Sequence, residues 1–438
     1  MKAARPFAAS SNRSRWLILA LVFACRAGLG FQFQSLGSVA DPLIAQMGFS
    51  YAEVGTLIGL FMLPGLFLAL PVGYAGRYLP DHVLVVIGLL ALTAGGVLAS
   101  VADGFGLLAL GRIASGIGFV FTTVYFAKMV VDWFTGRELA TAMGVLVTSW
   151  PFGIAMGQIG HVWLAARVDW RAAFLAASAY CAVAAVAMLL LYRSPPGAAP
   201  PGPPGEAAVL SPRALFLPRT ELVLTLLAAS VWGLLNGGYI VYLSFAPQVL
   251  IHGGYGAAQA AAVISLASWV MIFSASLGGQ IADRSGRPDR MLYACMAAAV
   301  LALLLLPQTS FAVVLSLLFG LFATAPAGVI MALTGEAMAA QRRAFGMGVF
   351  FTVNFVMMTF APPLAGWLFD RSGDPYYPIV LAATLFGSCI LAHRMFRVAQ
   401  ARIAKAALPV LAAPMGQPVQ SVERVQRAPA DDPIVRSD

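Results

Sequence analysis

Twelve apolar stretches, each long enough to cross a lipid bilayer, follow one another along this 438-residue chain. A membrane-spanning helix needs roughly 20 apolar residues. The chain is 60% hydrophobic and only 10% charged, whereas a water-soluble protein carries about 25% charged residues. Because backbone groups in lipid must be hydrogen-bonded within their own segment, and because the stretches lack the alternation of barrel strands, we predict an all-α membrane protein.

The predicted spans divide into two groups of six around a proline-rich loop. They are 16–38, 52–72, 83–102, 106–131, 139–163, 172–192, 221–247, 257–281, 291–307, 311–334, 344–368 and 377–398. The chain is accordingly divided into an N-terminal segment (1–15), an N-terminal six-helix bundle (16–192), a linker (193–220), a C-terminal six-helix bundle (221–398) and a disordered tail (399–438).

The distribution of basic residues predicts the orientation. Most of the 27 Lys and Arg residues lie in loops on one side, whereas Arg167, Arg171 and Arg371 lie in loops on the other. Since cytoplasmic loops collect Lys and Arg, we predict a multi-pass protein of the inner (plasma) membrane with both termini in the cytoplasm. The same bias explains the net charge of +9 without a nucleic-acid partner.

Residue types that would indicate a cofactor or an enzyme are scarce. The four cysteines, Cys25, Cys181, Cys295 and Cys389, all fall inside apolar spans, where thiols behave as small hydrophobes. The four histidines lie near span ends, where solvation is expected, and they lack metal-ligand spacing. With no phosphate-binding loop and no nucleophile–base arrangement, we predict neither a cofactor, a metal site, an enzymatic reaction nor ATP-driven transport.

Several loop and helix motifs carry a family resemblance. They are GQIADRSGRPDR (279–290), its degraded copy GYAGRYLPD (73–81), LALGRIASGIG (108–118), GVLVTSWPFGIAMG (144–157) and the stretch 345–374. Together they resemble the major facilitator superfamily over about residues 15–398. The resemblance implies twelve helices in two pseudo-symmetric six-helix halves that bind a small solute between them. It says little about the substrate.

The loop motif resembles the family's cytoplasmic latch between the two halves. In the first copy Gly76 and Arg77 stand where the second has Asp283 and Arg284. The latch is therefore expected to depend on the second half, where a glycine allows the tight turn. The predicted latch residues are Arg77, Gly279, Asp283, Arg284, Gly286 and Arg287.

Two arginines lie inside predicted spans, and no Asp or Glu does so at comparable depth. Arg26 lies near the middle of span 1, where a charge costs at least ~2.5 kcal/mol unless it faces water or a partner. Arg112 lies in span 4. Two buried arginines without a carboxylate at the same depth would make a cavity between the spans positively charged. A positively charged cavity favours an anion, which arginine can bind through two parallel hydrogen bonds. For both arginines the alternative is a structural bond to a backbone carbonyl, or, for Arg26, to Asp41.

Polar and aromatic side chains at helical spacing complete the predicted cavity. On span 1, we expect Gly30 and Gly37 to leave room beside Arg26. The other candidate substrate-binding residues are Phe33, Gln34, Phe119, Thr123, Trp232, Asn236, Tyr239, Trp269 and Asn354. For each of these sets of side chains, the alternative is a role in packing between neighbouring helices. Asp41 and Glu53 are the candidates for proton coupling.

The sequence therefore predicts a secondary active transporter that moves a small organic or inorganic anion by alternating access. The first helix, with GFQFQ after Arg26–Leu29, looks most similar to bacterial branches that move carboxylates, cyanate or nitrate. Proton symport, exchange and uniport stay open. The alternatives are a drug or metabolite efflux transporter and, as a minor one, a membrane receptor that does not transport. A monomer is expected.

Overall fold

The computed structural model describes residues 12–76, 78–134, 137–195, 217–307, 309–339 and 342–411, and its regular elements there are helices. Twelve helical segments of this part are long and apolar enough to cross a membrane. Spans 1 to 6 are Asn12–Ser38, Tyr51–Leu60 with Pro64–Ala75, Asp81–Ser100, Phe105–Trp133, Arg137–Arg167 and Trp170–Leu191. Spans 7 to 12 are Arg219–His252, Ala257–Ser285, Pro288–Leu305, Ala312–Ala323 with Ala327–Ala337, Arg343–Ser372 and Tyr376–Leu411. The predicted fold class is confirmed.

Two names describe the ends of the bundle below. The near face is the end at which span 1 begins, at Asn12, and the far face is the end at which span 1 stops and span 2 begins. A short helix, Ala40–Met47, connects spans 1 and 2 at the far face, and a 3-10 turn, Thr309–Phe311, precedes span 10. Spans 1–6 are called the N-half and spans 7–12 the C-half.

The chain divides into two compact units, Met1–Phe396 and Arg397–Asp438. In the second unit the residues up to Leu411 are helical, so the prediction of disorder from residue 399 is wrong for 399–411. Alanine, arginine and lysine, which are strong helix formers, dominate that stretch. The rest of the predicted tail, 412–438, and most of the linker, 196–216, lie outside the described residues.

Spans 2 and 10 are each built from two helices, whereas the hydropathy of the sequence predicts one continuous helix for each span. Span 2 is interrupted by a turn at residues 61–63 just before Pro64, and span 10 ends its first helix before Pro326. Proline lacks the N–H that a continuous helix needs, but its fixed φ suits the first turn of a new one. At the first break, the Met62 N–H donates to the Gly59 carbonyl at 2.9 Å, which tightens the chain locally.

Spans 1 and 5 cross at backbone contact in the N-half. A Cβ at Gly30 would collide with the carbonyl oxygen of Trp150, and a Cβ at Gly153 would collide with that of Ala27. Glycine at both positions therefore lets the two helices approach closely. The predicted role of Gly30 as empty space beside Arg26 is wrong, because the Trp150 carbonyl occupies that space.

The two halves contact each other from the middle of the spans to the far face. Span 2 packs against span 11, and span 5 packs against span 8. In the middle of the spans the Phe355 ring lies against Gly65. At the near face, by contrast, the side chains of loop residues 283–287 are exposed.

Candidate functional site

Arg26 lies at the middle of span 1, and one of its nitrogens is bonded to span 5. Its Nη1 donates to the Leu146 carbonyl and to the Ser149 hydroxyl, both at 2.9 Å, and lies 3.5 Å from the Val147 carbonyl. Pro151 explains why the Val147 carbonyl is available, since a proline leaves the carbonyl four residues earlier without its helical donor. The proline can be read from the sequence, but the bond from Arg26 cannot, because it depends on how spans 1 and 5 pack.

The other edge of the same guanidinium has no partner among the described residues. Its Nε is buried without a hydrogen bond, and no bond to Nη2 exists within the described residues. No carboxylate of the described chain pairs with Arg26, although the side chain is only partly exposed. The structure thus contains both alternatives for this residue: a structural bond through Nη1 and an uncompensated charge with two unused donors.

A row of three aromatic rings links span 1, one turn before Arg26, to spans 5 and 8. The Phe152 ring lies 5.5 Å from that of Phe23, which is one helical turn before Arg26, and 5.4 Å from that of Trp269. Phe152 is on span 5 and Trp269 on span 8, so this pair also joins the two halves. Trp269 was among the predicted site residues, whereas Ser149, Phe152 and Phe23 were not.

Arg112 is 1% exposed and bonded on every side inside the N-half. Its Nε donates to the Leu57 carbonyl at 3.2 Å, Nη1 to Gln32 at 3.4 Å and Nη2 to Phe33 at 3.2 Å. The guanidinium also lies 4.6 Å from the centre of the Phe61 ring, a cation–π contact. This geometry favours the structural alternative, in which Arg112 joins spans 1, 2 and 4.

Two other predicted residues belong to the packing around Arg112. Phe33 and Phe119 are buried, and both rings contact Phe61 and Trp150, at 5.1 to 5.5 Å between centres. Thr123, two turns from Ser115 on span 4, is half-buried and its hydroxyl has no partner. The structure therefore groups these aromatic residues in the N-half interior, around Arg112.

A cavity of about 230 Å³ lies between the halves toward the far face. Its polar lining includes Gln34, Asp41, Gln158 and Gln248. Across it, the Gln248 amide donates to the Asp41 carboxylate at 2.7 Å. Burial raises the pKa of Asp41 above its usual value, while the bond from Gln248 acts in the opposite direction. Gln158 and Gln248 were not predicted, because isolated glutamines in apolar helices carry no pattern.

Glu53, the second predicted proton-coupling residue, serves as a helix cap. Its carboxylate accepts the Ser50 N–H at 2.9 Å, and the Ser50 hydroxyl accepts the Glu53 N–H at 3.2 Å. This reciprocal pair is a capping box, which fixes the start of span 2. Its carboxylate is thus engaged locally, which leaves Asp41 as the better candidate.

The candidates of the C-half are distributed along spans 7 and 11. Asn236 donates back to the Trp232 carbonyl of its own helix at 2.8 Å, and Trp232 is half-buried. Tyr239 is buried, with its hydroxyl 3.5 Å from that of Ser268. Asn354 is 6% exposed and its carbonyl oxygen has no partner. Asn354 therefore carries an unused acceptor in the protein interior.

The predicted latch residues of the second half lie exposed at the near face. Gly286 ends span 8 with a φ of +62°, the left-handed conformation that favours glycine, as predicted for a tight turn. Asp283, Arg284 and Arg287 are exposed, and within the described chain the carboxylate of Asp283 has no hydrogen bond or ion pair. Gly279 has open space around it. Arg77 lies outside the described residues.

Two histidines differ from expectation. His161 and His393 are fully buried, although solvated positions were predicted for both. The His161 Nε2 lies 2.9 Å from the Phe31 carbonyl, which ties span 5 to span 1, and His393 Nδ1 lies 3.0 Å from the Tyr293 hydroxyl. Over the residues that the structure describes, no group of His, Cys, Asp and Glu is arranged to hold a metal ion.

Comparisons with known proteins agree on one family. A family model described as Major Facilitator Superfamily matches residues 22–362 and 254–414. The 3-(3-hydroxy-phenyl)propionate transporter of Escherichia coli (strain K12) is 25% identical over 370 residues, which cover 82% of this chain and 88% of that protein.

Solved structures show the same fold. A bacterial homolog of the human lysosomal transporter Spinster, in an inward-facing and unoccupied conformation, has a TM-score of 0.66 at 18% identity, covering 90% of this chain and 96% of that one. A mutant of the nucleoside transporter NupG has a TM-score of 0.70 at 13% identity, covering 88% of this chain and 99% of that one.

Proposed function

Because this chain belongs to the Major Facilitator Superfamily, we propose that it is a secondary active transporter of a small organic anion. The two halves alternate around a site at mid-membrane. The near face is the cytoplasmic one and the far face the external one, as the bias of Lys and Arg predicts. The membrane is the inner membrane, and both termini are cytoplasmic.

The observation that carries this proposal is the unused edge of Arg26. Nη1 is held by span 5, so the guanidinium is fixed in orientation, while Nε and Nη2 have no acceptor in the part of the chain that the structure describes. An unpaired buried donor costs about 1–3 kcal/mol. A carboxylate that accepts from Nε and Nη2 together would remove this cost and form the two-bond geometry that distinguishes arginine from lysine.

The rings beside this edge support an anion with an apolar or aromatic body. Phe23 lies one turn before Arg26 on span 1, and its ring is followed by those of Phe152 and Trp269, which supply flat apolar surfaces. The Escherichia coli relative is a transporter of 3-(3-hydroxy-phenyl)propionate, in which a two-carbon chain joins the carboxylate to an aromatic ring. This makes aryl-substituted carboxylates the first class of substrate to test.

Protons are proposed to be the coupling ion, with Asp41 as their carrier. The carboxyl is half-buried and bonded to Gln248 when the far face is closed. Its pKa is raised in this state by burial, and it returns toward the ordinary value of about 3.9 once water reaches it. The closed state therefore holds the proton more tightly, and acidic conditions favour closure of the far face.

Uptake into proteoliposomes tests the anion site directly. Arg26→Gln should abolish accumulation of labelled 3-(3-hydroxyphenyl)propionate, and Arg26→Lys should retain little of it, since an ammonium cannot offer two parallel donors. Arg167→Gln is the matched control, because it removes an exposed arginine from the end of span 5. Normal uptake by Arg26→Gln would exclude Arg26 from the site.

The pH dependence of uptake tests the role of Asp41. Asp41→Asn mimics the protonated carboxyl, so uptake should lose its stimulation by external acid, while exchange of internal for external substrate continues. Tyr51, which interacts electrostatically with Asp41, is kept in all of these proteins. Asp103→Asn, which changes a far-face carboxylate with 91% side-chain exposure, serves as the control. A wild-type pH profile in Asp41→Asn would contradict this assignment.

A further inference from the structure

The first turn of span 2 needs four hydrogen-bond acceptors that its own helix does not supply. Two come from the N-half itself: the Glu53 carboxylate accepts the Ser50 N–H at 2.9 Å, and the Ser50 hydroxyl accepts the Glu53 N–H at 3.2 Å. The N–H groups of Tyr51 and Ala52 remain. No acceptor of the described N-half bonds to either of them.

Asp370, at the end of span 11 in the C-half, supplies both missing acceptors. Its Oδ1 accepts the Tyr51 N–H at 2.8 Å, and its Oδ2 accepts the Ala52 N–H at 2.7 Å. One carboxylate of one half thus caps a helix of the other half. A negative charge is also favoured at this position by the positive end of the helix dipole.

The surroundings of this cap require the two halves to be in close contact. The Tyr51 ring stacks on that of Phe369, with 3.9 Å between centres and 19° between planes. A Cβ at Gly366 would collide with the Tyr51 carbonyl, and a Cβ at Gly55 would collide with that of Pro362. The cap can therefore form only when spans 2 and 11 are packed together at the far face.

We infer that Asp370 is a positioning residue of the transport cycle, which closes the far face by capping span 2 and releases it when the halves separate there. The inference rests on the proposed alternating-access function. The bonds are solvent-exposed, so water can replace both partners as they separate, and the contact is easily reversed. In the same structure the side chain of Asp283 at the near face is exposed, which fits a state closed at the far face.

Cysteine labelling of purified protein in detergent tests the Asp370 cap. The measurement does not depend on the substrate, on the coupling ion or on the orientation of the protein in a membrane. The reporter is Ala261→Cys, a buried position that lines the far-face cavity. The four native cysteines are buried, which keeps the background low. Asp370→Asn keeps the shape of the side chain but replaces one acceptor by an NH₂ group, which cannot accept the second N–H. Loss of a helix cap should raise the population with an open far face by about fivefold. Labelling by a maleimide should become faster by the same factor.

Asp374→Asn is the matched control for charge and location. The Asp374 carboxylate accepts the Tyr376 N–H at 2.8 Å, a cap within the C-half alone, two residues before span 12. This variant should label at the wild-type rate, and Asp370→Glu, which keeps both acceptors, should label more slowly than Asp370→Asn. The role of Asp370 would be overturned if Asp370→Asn and the wild type label at the same rate. It would also be overturned if the labelling rate rises equally in Asp370→Asn and Asp374→Asn. Loss of transport in Arg26 variants would leave this result unaffected.

Discussion

At the scale of single residues, Arg26 and Arg112 both lie inside predicted spans, but they differ in how many guanidinium nitrogens form hydrogen bonds with the protein. Arg112 uses all three of its nitrogens on carbonyls of spans 1 and 2. Arg26 uses one nitrogen on span 5 and leaves an edge without acceptors. The sequence could identify both as buried charges. It could not assign their roles, because the carbonyls that satisfy Arg112 come from helices far away in the chain.

The difference predicts effects of unequal size on the free energy of unfolding. Arg112→Gln should lower the free energy of unfolding by at least ~2 kcal/mol, since three buried carbonyls lose their charged donors. Arg26→Gln should change it by less than about 1 kcal/mol, because removal of an unpaired buried donor offsets the loss of the bonds to Leu146 and Ser149. Denaturation in detergent, followed by intrinsic tryptophan fluorescence, measures both. A larger loss in Arg26→Gln than in Arg112→Gln would contradict these assignments.

At the scale of helices, hydropathy predicted the spans well and their interruptions poorly. Every described span begins or ends within a few residues of the predicted limits on at least one side, because about 20 apolar residues define a span. The breaks before Pro64 and at Pro326 were missed, although proline marks them. Pro71 and Pro151 lie within continuous helices, so proline alone does not decide where a span is interrupted.

The contact of span 2 with span 11 gives a prediction at this scale. Gly59→Ala would place a methyl group against the Thr359 carbonyl and should separate the halves at the far face. Labelling of the Ala261→Cys reporter should therefore increase, as expected for Asp370→Asn. Gly106→Ala, which has open space around its Cα, should leave labelling unchanged. If both variants label at the wild-type rate, the glycines are not needed for closure.

At the scale of the whole molecule, the motifs of the sequence indicated the fold because they repeat in both halves. The loop at 279–290 and its copy at 73–81 fixed the division into six and six spans. The state of the cycle could not be predicted, since it depends on which face packs, and that is set by contacts such as Asp370 with span 2. The far-face cavity with Asp41 and Gln248 likewise forms only when residues from the two halves meet.

Direct binding of an anion to Arg26 is the central claim, and calorimetric titration of the purified protein measures it without transport. Wild-type protein and Arg167→Gln should bind 3-(3-hydroxyphenyl)propionate equally, whereas Arg26→Gln should bind it at least about tenfold more weakly, the effect of losing a charge-assisted hydrogen-bond pair. The neutral amide of the same acid should bind weakly to all three proteins. Equal affinity of the wild type and Arg26→Gln for the carboxylate would contradict the proposed anion site.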